Sequence, residues 1–524
     1  MLRKLARILL GRDRAADVQP PSSAAQPPAN SKTSAGRRPT AAKSRDRAEP
    51  APYDAAVRTQ RRPRRDDLHV LPESLRKLDL RDAKVIPRTD HNISRRDISP
   101  NALKVLYRLN DAGYQAFLVG GGVRDLLLNG QPKDFDVSTD ATPEQTRDLF
   151  RSARVIGRRF KIAHVRFGRE IIEVTTFRAH HDIETEVGED EPRRHIRDLD
   201  SAHSSAGMIL RDNVYGSINH DAVRRDFTVN ALYYTTNGFF LIDFVNGLAD
   251  IEARLIRMIG DPETRYREDP VRMLRAIRLA AKLGFQIEAN TEAPINDLAP
   301  LLASVAPARL FDETVKFFTA GQAEVTFDLL CKYKVADYLF GATLEHMGEP
   351  DSAHSRLVRL ALQSTDNRLA EGKSVTPAFL YAALLWPPLQ ARLQSTSSQR
   401  QPPMAALHQA ATEVISEQQA FTSIPKRFTA VMREIWELQS RMTPRNRRNV
   451  EAVFSHQRFR AAYDFLLLRE EAEGTTNGPG VWWTDFQLAD QAQQQQMIDE
   501  LRPSPSARKR RPRRRASGKS EPSV

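Results

Sequence analysis

The spacing of hydrophobic residues changes near residue 260, and the two spacings predict two kinds of architecture. Before this point short apolar runs are separated by turns: Phe117–Val119 predicts a strand, three glycines at 120–122 predict a turn, and Val123–Leu128 predicts the start of a helix. From Pro262 onward apolar residues recur at intervals of three and four, and Gly284 marks the end of one such helix. The pattern predicts an α+β part followed by all-α parts.

Two aspartates follow the glycine turn, at the start of the next predicted strand. Because side chains alternate along a strand, the carboxylates of Asp134 and Asp136 should share one face while Phe135 points to the other. Glycines let backbone N–H groups approach a polyanion, and Mg²⁺ is usually held by one or two carboxylates together with substrate phosphates. The combination indicates a site for a divalent cation and a triphosphate, although either pattern alone is common in turns and loops.

A third carboxylate is needed to position a second metal ion, and the sequence offers two candidates. Glu173 lies in an apolar, β-branched run that predicts a neighbouring strand. Asp226 is flanked by Arg224 and Arg225. The alternatives are an exposed position on a half-buried strand for Glu173, and a helix cap or ion-pair partner for Asp226. The residues alone leave both choices open.

Five motifs occur in a fixed order along the chain. They are VGGGVRD at Val119–Asp125, KDFDVST at Lys133–Thr139, EIIEVTTFR at Glu170–Arg178, RRDFTVNALYY at Arg224–Tyr234 and REDPVRMLRAIRLAAKLGF at Arg267–Phe285. Together they resemble the class II nucleotidyltransferases of the polymerase β superfamily, a group that includes CCA-adding enzymes and bacterial poly(A) polymerases. Residues 157–167, 212–234 and 458–469 are more similar to the bacterial poly(A) polymerases than to the CCA-adding enzymes.

The resemblance implies a role for each residue of these motifs that matches the family pattern. It implies metal binding by Asp134 and Asp136, with Asp226 and Glu173 as assisting catalytic carboxylates. It also implies a nucleotide site. The triphosphate turn would comprise Gly120, Gly121, Arg124 and Asp125, and Asn230 would lie near the sugar. The base-reading motif would comprise Glu268, Asp269, Arg272 and Arg275.

The spacing of the base-reading residues also predicts a shared helix face. Asp269, Arg272 and Arg275 follow one another at intervals of three, and a planar guanidinium can donate to an adenine ring nitrogen. For alternating charges, a solvated face of salt bridges is the common alternative.

The resemblance implies a template-independent RNA adenylyltransferase. Two Mg²⁺ ions would promote attack of an RNA 3′-hydroxyl on the α-phosphate of ATP, and the RNA-decay machinery is a further expected partner. One alternative is a CCA-adding enzyme, which would use CTP and act on tRNA ends. Another is a non-catalytic RNA-binding protein that retains a polymerase-like head.

Composition agrees with a polyanionic partner. The chain of 524 residues carries a formal net charge of +13 and has a pI near 9.8, as expected for a protein that binds RNA. A single cysteine excludes an intrachain disulfide. No apolar run reaches the roughly 20 residues of a membrane span, so we expect no stable membrane insertion. A cytoplasmic location is expected, with an organellar transit peptide as the alternative for the Arg-rich N-terminus.

The predicted fold class is a polymerase β-like head, with a mixed sheet and helices, followed by an all-α neck and body between disordered basic termini. The head is expected to be catalytic, the neck to bind the base and RNA, and the body to bind RNA. The expected divisions are a basic arm at 1–68, the head at 100–250, the neck at 251–321, the body at 322–473 and a basic tail at 490–524.

Two segments within these divisions are open to more than one interpretation. Residues 180–205 are polar and predict a loop. In the body, Phe459, Tyr463 and Phe465 lie among arginines, where they would either stack on bases or be buried in the core.

Overall fold

The computed structural model of the protein describes residues 71–157, 161–179, 186–187, 201–204, 209–212, 214–396, 402–445 and 447–501, all of which belong to one compact unit. The predicted arm at 1–68 and residues 502–524 of the predicted tail lie outside this part of the chain. Among the helices of the described residues, none has both the length and the apolar character that crossing a membrane requires.

A mixed sheet of eight strands forms the centre of the α+β part, in the order β1-β11-β10-β2-β3-β6-β5-β4. Within this sheet only the β3–β6 pair is parallel. The strands of the described residues are β1 (Lys84–Ile86), β2 (Ala116–Val119), β3 (Asp136–Thr139), β4 (Ala153–Ile156), β5 (Ile162–Phe167), β6 (Glu170–Thr176), β7 (Glu186–Val187), β8 (Ser201–Ser204), β9 (Ile209–Asp212), β10 (Leu232–Tyr234), β11 (Leu241–Asp243), β12 (Leu255–Ile256) and β13 (Gln286–Ile287).

Helices surround this sheet, and beyond Ile287 the described residues contain helices and no strand. The predicted mixed-sheet head followed by all-α parts is therefore confirmed. Up to residue 283 the helices are α1 (Glu73–Arg76), α2 (Pro100–Asp111), α3 (Gly121–Leu127), α4 (Pro143–Leu149), α5 (Ile218–Val223), α6 (Gly247–Glu252), α7 (Pro262–Glu268) and α8 (Val271–Leu283). Beyond it they are α9 (Ala289–Glu292), α10 (Ile295–Leu298), α11 (Pro307–Phe318), α12 (Ala323–Lys332), α13 (Asp337–Met347), α14 (Ala353–Ala370), α15 (Pro377–Leu384), α16 (Trp386–Thr396), α17 (Pro403–Phe421), α18 (Lys426–Met442), α19 (Arg447–Phe454), α20 (Phe459–Glu473), α21 (Pro479–Leu488) and α22 (Gln491–Glu500).

One row of residues crosses the sheet and carries the candidate chemistry. His164 pairs with Glu173, Glu173 with Asp136, Asp136 with Val119, and Val119 with Tyr233. Residues paired directly across neighbouring strands point to the same face. The register therefore places two candidate carboxylates side by side.

The two faces of the sheet are covered differently. On the face opposite this row, Leu118, Val137 and Val174 pack against the apolar side of α2 and join the main hydrophobic core. On the face of the row, Val119 and Tyr233 pack in a smaller core formed by residues 71–83 and helix α5. The row thus lies where apolar packing gives way to polar contacts.

Three aromatic residues of helix α20 are buried. Phe459, Tyr463 and Phe465 are almost fully removed from solvent, and Phe459 packs on Trp483 with ring centroids 5.3 Å apart. Burial, rather than base stacking, explains these aromatics.

Two predictions of irregular structure are wrong in part. Strands β7, β8 and β9 form a separate three-stranded sheet within and beyond the predicted loop at 180–205. Helix α22 lies in the predicted disordered tail, where Asp490 caps the helix by accepting from the N–H of Gln493. Backbone hydrogen bonds and a cap need no hydrophobic periodicity, so the sequence pattern did not reveal either element.

Substituting Gly247 tests the packing at the start of α6. A Cβ at this position would collide with the backbone carbonyl of Thr228, so Gly247→Ala should lower the free energy of unfolding by about 1–3 kcal/mol. Gly341→Ala is the matched control, because a Cβ there has no neighbour within 4 Å. Thermal unfolding should show a lower Tm for the first variant only. Equal Tm values would contradict the described packing.

Candidate functional site

The glycine turn brings the backbone against a carboxylate. Gly120 follows β2 with φ +77°, a conformation that other residues rarely adopt, and α3 begins at the next residue. A Cβ on Gly120 would lie 3.4 Å from Oδ2 of Asp136. The turn therefore forms one wall of the space beside Asp136.

Asp136 and Glu173 lie side by side at this wall. Asp136 is the first residue of β3 and pairs in register with Glu173 of β6. Burial and the negative charges of Glu173 and Asp134 raise the pKa of Asp136 to about 6, although the positive charge of Arg225 acts in the opposite direction. Like charges held together in this way are suited to binding a cation.

Asp134 does not lie on the strand that the sequence predicts for it. Strand β3 begins at Asp136, because β2 offers a partner only as far as Val119, which pairs with Asp136. The chain then turns at Gly120, so β2 has no further backbone to pair with residues 134–135. The negative charge of Asp134 still contributes to the raised pKa of Asp136.

The carboxylates fit a divalent cation that also binds the substrate. Among the described residues, no group of three or more His, Cys, Asp and Glu side chains is arranged to hold a metal ion by itself. Mg²⁺ needs only one or two carboxylates when phosphate oxygens complete its shell. Asp134 and Asp136 match that donor set, and the burial and like charges that raise the pKa of Asp136 would be offset by a bound cation.

Asp226 is engaged in ion pairs with helix α8. Its Oδ1 accepts from Nε of Arg272 at 3.0 Å, and its Oδ2 accepts from Nη1 of Arg275. Burial alone would raise the pKa of Asp226, but the charges of Arg275 and Arg272 hold it well below its usual range. The structure thus gives Asp226 the ion-pair role that the sequence left open, and it places Glu173, not Asp226, opposite Asp136 in the sheet.

Glu268 fixes the position of Arg272. Its Oε2 accepts from Nη1 of Arg265 at 2.8 Å and from Nη1 of Arg272 at 2.6 Å. Arg272 also donates from Nη1 to the carbonyl of Arg265 at 2.7 Å. Because Asp226 accepts from Nε of the same arginine, the Arg272 guanidinium is fixed through both Nε and Nη1.

Asp269 faces a different arginine. Its two oxygens accept from Nη1 and Nη2 of Arg309 at 2.7 and 2.6 Å. The predicted helix face shared by Asp269, Arg272 and Arg275 is wrong for Asp269, since α7 ends at Glu268 and α8 begins after Pro270. A residue before proline avoids helical geometry, and Asp269 is extended.

Arg124, Asp125 and Asn230 meet beside the glycine turn. Arg124, only 4% exposed, donates from Nη1 to Oδ1 of Asn230 at 2.5 Å and from Nη2 to Oδ1 of Asp125 at 2.6 Å. Lys282 of α8 donates to Oδ2 of Asp125 at 3.0 Å. The N-terminal motif is therefore tied to helix α8.

Three arginines near the site were not singled out from the sequence. Arg278 continues the spacing of Arg272 and Arg275 along α8, a signal that the sequence contained, and its Nε lies 3.9 Å from Oε2 of Glu313. Arg225 precedes Asp226, and its spacing of four from Asp221 was a signal for an ion pair. Arg309 lies 40 residues from its partner, so the sequence held no signal for that pair.

Comparison with known proteins defines the class of this site. Residues 116–257 match the family model "Poly A polymerase head domain". Residues 284–346 match "Probable RNA and SrmB- binding site of polymerase A", and 399–517 match "Polymerase A arginine-rich C-terminus". With a mixed sheet that carries paired carboxylates beside a glycine turn, the head identifies a nucleotidyltransferase.

Similar proteins identify the family within this class of nucleotidyltransferases. Poly(A) polymerase I of Escherichia coli O157:H7 is 49% identical over 441 residues, which cover 82% of this chain and 92% of the relative. The chain belongs to the poly(A) polymerase I family. A CCA-adding enzyme of Lactobacillus helveticus is 35% identical over 243 residues, 46% of this chain and 55% of the relative. The crystal structure of the Bacillus stearothermophilus CCA-adding enzyme in complex with CTP matches 76% of this chain and all of its own, at 24% identity and a TM-score of 0.40.

The raised pKa of Asp136 predicts a pH-dependent gain in stability for Asp136→Asn. Because the folded-state pKa is about 6 against 3.8, the wild-type carboxyl favours folding at low pH and loses that contribution as the pH rises from about 4 to 6. With chelator present, the variant should exceed wild type by roughly 2–3 kcal/mol at pH 7.5 and by little at pH 4.

Thermal unfolding at the two pH values measures this difference. Asp312→Asn, which removes an exposed carboxylate from α11, is the control and should show no such pH dependence. A gain for Asp136→Asn that is equal at both pH values would contradict the raised pKa of Asp136 as its cause.

Proposed function

We propose that the protein adds AMP from ATP to the 3′ ends of RNA without a template. The observation that carries this proposal is the placement of Asp136, which lies beside Glu173 in the sheet and against the backbone of Gly120. Membership of the poly(A) polymerase I family supports the choice of ATP and RNA as substrates. The 3′-hydroxyl oxygen would form a bond to the α-phosphorus, the bond to the β-phosphate would break, and pyrophosphate would leave.

Asp134 and Asp136 would hold two Mg²⁺ ions together with the triphosphate. Bound Mg²⁺ would neutralise charge on the transferring phosphate and favour loss of the hydroxyl proton. The role of the residues is to fix this geometry, since the transfer depends on positioning and on charge neutralisation. Glu173 is the better supported assisting carboxylate, because Asp226 is already paired with two arginines.

The nucleotide would lie between the glycine turn and helix α8. Arg124, Asp125 and Asn230 form one connected group beside Gly120 and Gly121. On the other side, Arg272 is held through Nε and Nη1, and among the described residues its Nη2 has no hydrogen-bond partner.

Arg272 would read the base through this unused Nη2, which suits the acceptor nitrogens of adenine. Glu268 would orient Arg272, and Asp269 and Arg275 would line the same space. A guanidinium fixed by several acceptors presents its donor in one direction, and such rigidity favours one base over another.

RNA would run from the head to the helical parts. The match at 284–346, whose name includes a probable RNA-binding site, supports RNA binding by the expected neck at 251–321 and body at 322–473. The basic termini would add contacts without sequence preference, because neutralising phosphates does not depend on the base. A role in RNA decay and a cytoplasmic location stay predictions.

Extension of a generic end-labelled RNA with each nucleoside triphosphate tests the proposal. With Mg²⁺ and ATP alone we expect long ladders, and with CTP alone little extension. Addition of a few C and A residues only to tRNA would replace the proposal with CCA synthesis. No extension of either RNA would favour a non-catalytic RNA-binding protein, and Asp136→Ala, which should lower the rate at least about a thousandfold, separates activity of this site from contamination.

Glu173→Gln and Asp226→Asn distinguish the two assisting carboxylates. Glu173→Gln should lower kcat by about a hundredfold or more without lowering Tm, because it removes a like charge beside Asp136. Asp226→Asn should instead lower Tm by several degrees, since it leaves Arg272 and Arg275 without their carboxylate. A loss of kcat in Asp226→Asn at unchanged Tm would assign the catalytic role to Asp226.

A further inference from the structure

Behind the carboxylates lies a second, fully buried aspartate. Asp221 of helix α5 has a side chain that is 0% exposed. Its oxygens accept from side chains on several elements: Ser138 at 3.2 Å, Tyr233 at 2.8 Å, Arg224 at 3.0 Å and Arg225 at 2.8 Å. The backbone N–H of Arg178 is a further donor at 3.3 Å.

These donors keep Asp221 ionised inside the protein. Burial by itself would raise the pKa of Asp221, but the charges of Arg225 and Arg224 and the hydroxyl of Tyr233 hold it well below its usual range. A buried carboxylate is stable when its oxygens are paired with cations and donors in this way. Asp221 is thus a permanent negative charge.

Arg225 is the cation most closely held by this charge. Its Nε donates to Asp221 at 3.2 Å and to the hydroxyl of Tyr233 at 2.8 Å, and its Nη2 donates to Asp221 and, at 3.3 Å, to Ser138. Among the described residues, no hydrogen bond uses Nη1 of Arg225. Nη1 of this fixed guanidinium can therefore donate to a ligand.

Ser138 and Tyr233, which both accept from Arg225, place its guanidinium beside the candidate catalytic carboxylate. Ser138 is two residues from Asp136 on β3, so both side chains point to the same face. Tyr233 lies in the row of the sheet that contains Asp136. The positive charge of Arg225 lowers the pKa of Asp136, as expected for a neighbour.

We propose that Asp221 is a positioning residue that holds the Arg225 guanidinium beside Asp136, with Nη1 directed to the triphosphate of the incoming nucleotide. The proposal rests on the proposed function for the identity of the nucleotide. An arginine side chain has many rotamers, and anchoring it before the substrate arrives removes the cost of ordering it during binding. An asparagine at this position would turn an amide N–H₂ group toward the donors that Asp221 now accepts from.

Asp221→Asn tests the role, with Asp243→Asn as the matched control. Asp243 of β11 is also buried, but it accepts from the backbone N–H groups of Val245, Gly247 and Leu248 and from no arginine that the structure describes. Each variant is assayed at a temperature the same number of degrees below its own Tm. Under these conditions Asp221→Asn should lower kcat/KM for ATP by at least about tenfold, while KM for RNA stays unchanged. Asp243→Asn should lower Tm and leave kcat/KM for ATP within about twofold.

Tyr233→Phe provides a milder variant that keeps the ring and the charge of Asp221. It removes one hydroxyl that contacts both Asp221 and Arg225, and a loss of about threefold in kcat/KM for ATP is expected. If Asp221→Asn does not fold, this variant decides the question. Wild-type kinetics in Tyr233→Phe, or equal losses for ATP and RNA in Asp221→Asn, would overturn the positioning role.

A binding measurement separates this inference from the proposed function. The rise in Tm on adding MgATP should exceed the rise with adenosine in wild type, and Asp221→Asn should lose that excess. Loss of the excess in a protein that fails to elongate RNA would sustain the positioning role while removing the proposed function. An excess unchanged by Asp221→Asn would overturn the positioning role even if RNA is elongated.

Discussion

The burial of Asp136 beside the like charge of Glu173 is the constraint on which the candidate site depends. The register of the sheet places Asp136 beside Glu173, and the charge of Asp134 adds to the rise in the pKa of Asp136. Folding therefore brings like charges together at a cost, a form of instability that functional sites commonly retain. The surrounding structure tolerates this cost because the eight-stranded sheet is covered by apolar packing on both faces.

Arginines around this site are divided between structural and available donors. Arg265 donates to Glu268 and to the backbone carbonyls of Arg224 and Arg225, so it holds the segment that precedes Asp226. Arg225 and Arg272 are each fixed by carboxylates and keep one donor corner without a partner among the described residues. Under the proposed function, these buried acids would direct positive charge to the nucleotide rather than cancel it.

The sequence predicted elements whose causes are local and missed partners that the fold brings together. Apolar spacing predicted β2, and glycines, which permit positive φ, predicted the turn and the end of α8 at Gly284. The structure contains all three. The motifs also indicated Asp136 and Glu173. Sequence alone had no means of showing that Asp269 faces Arg309 or that Asp226 faces Arg275, because charge complementarity between distant segments has many solutions until the backbone path is known.

Helix α8 is fastened to the α+β part along its length. Arg272 and Arg275 hold Asp226 near its start, Lys282 holds Asp125 near its end, and β13, which follows it, pairs with β12. These contacts link the residues up to Ile287 to the α+β part of the fold. Under the proposed function, an opening between the candidate carboxylates and the later helices would bend the chain beyond Ile287, and the arginines proposed to read the base would keep their position relative to Asp136 while RNA is elongated.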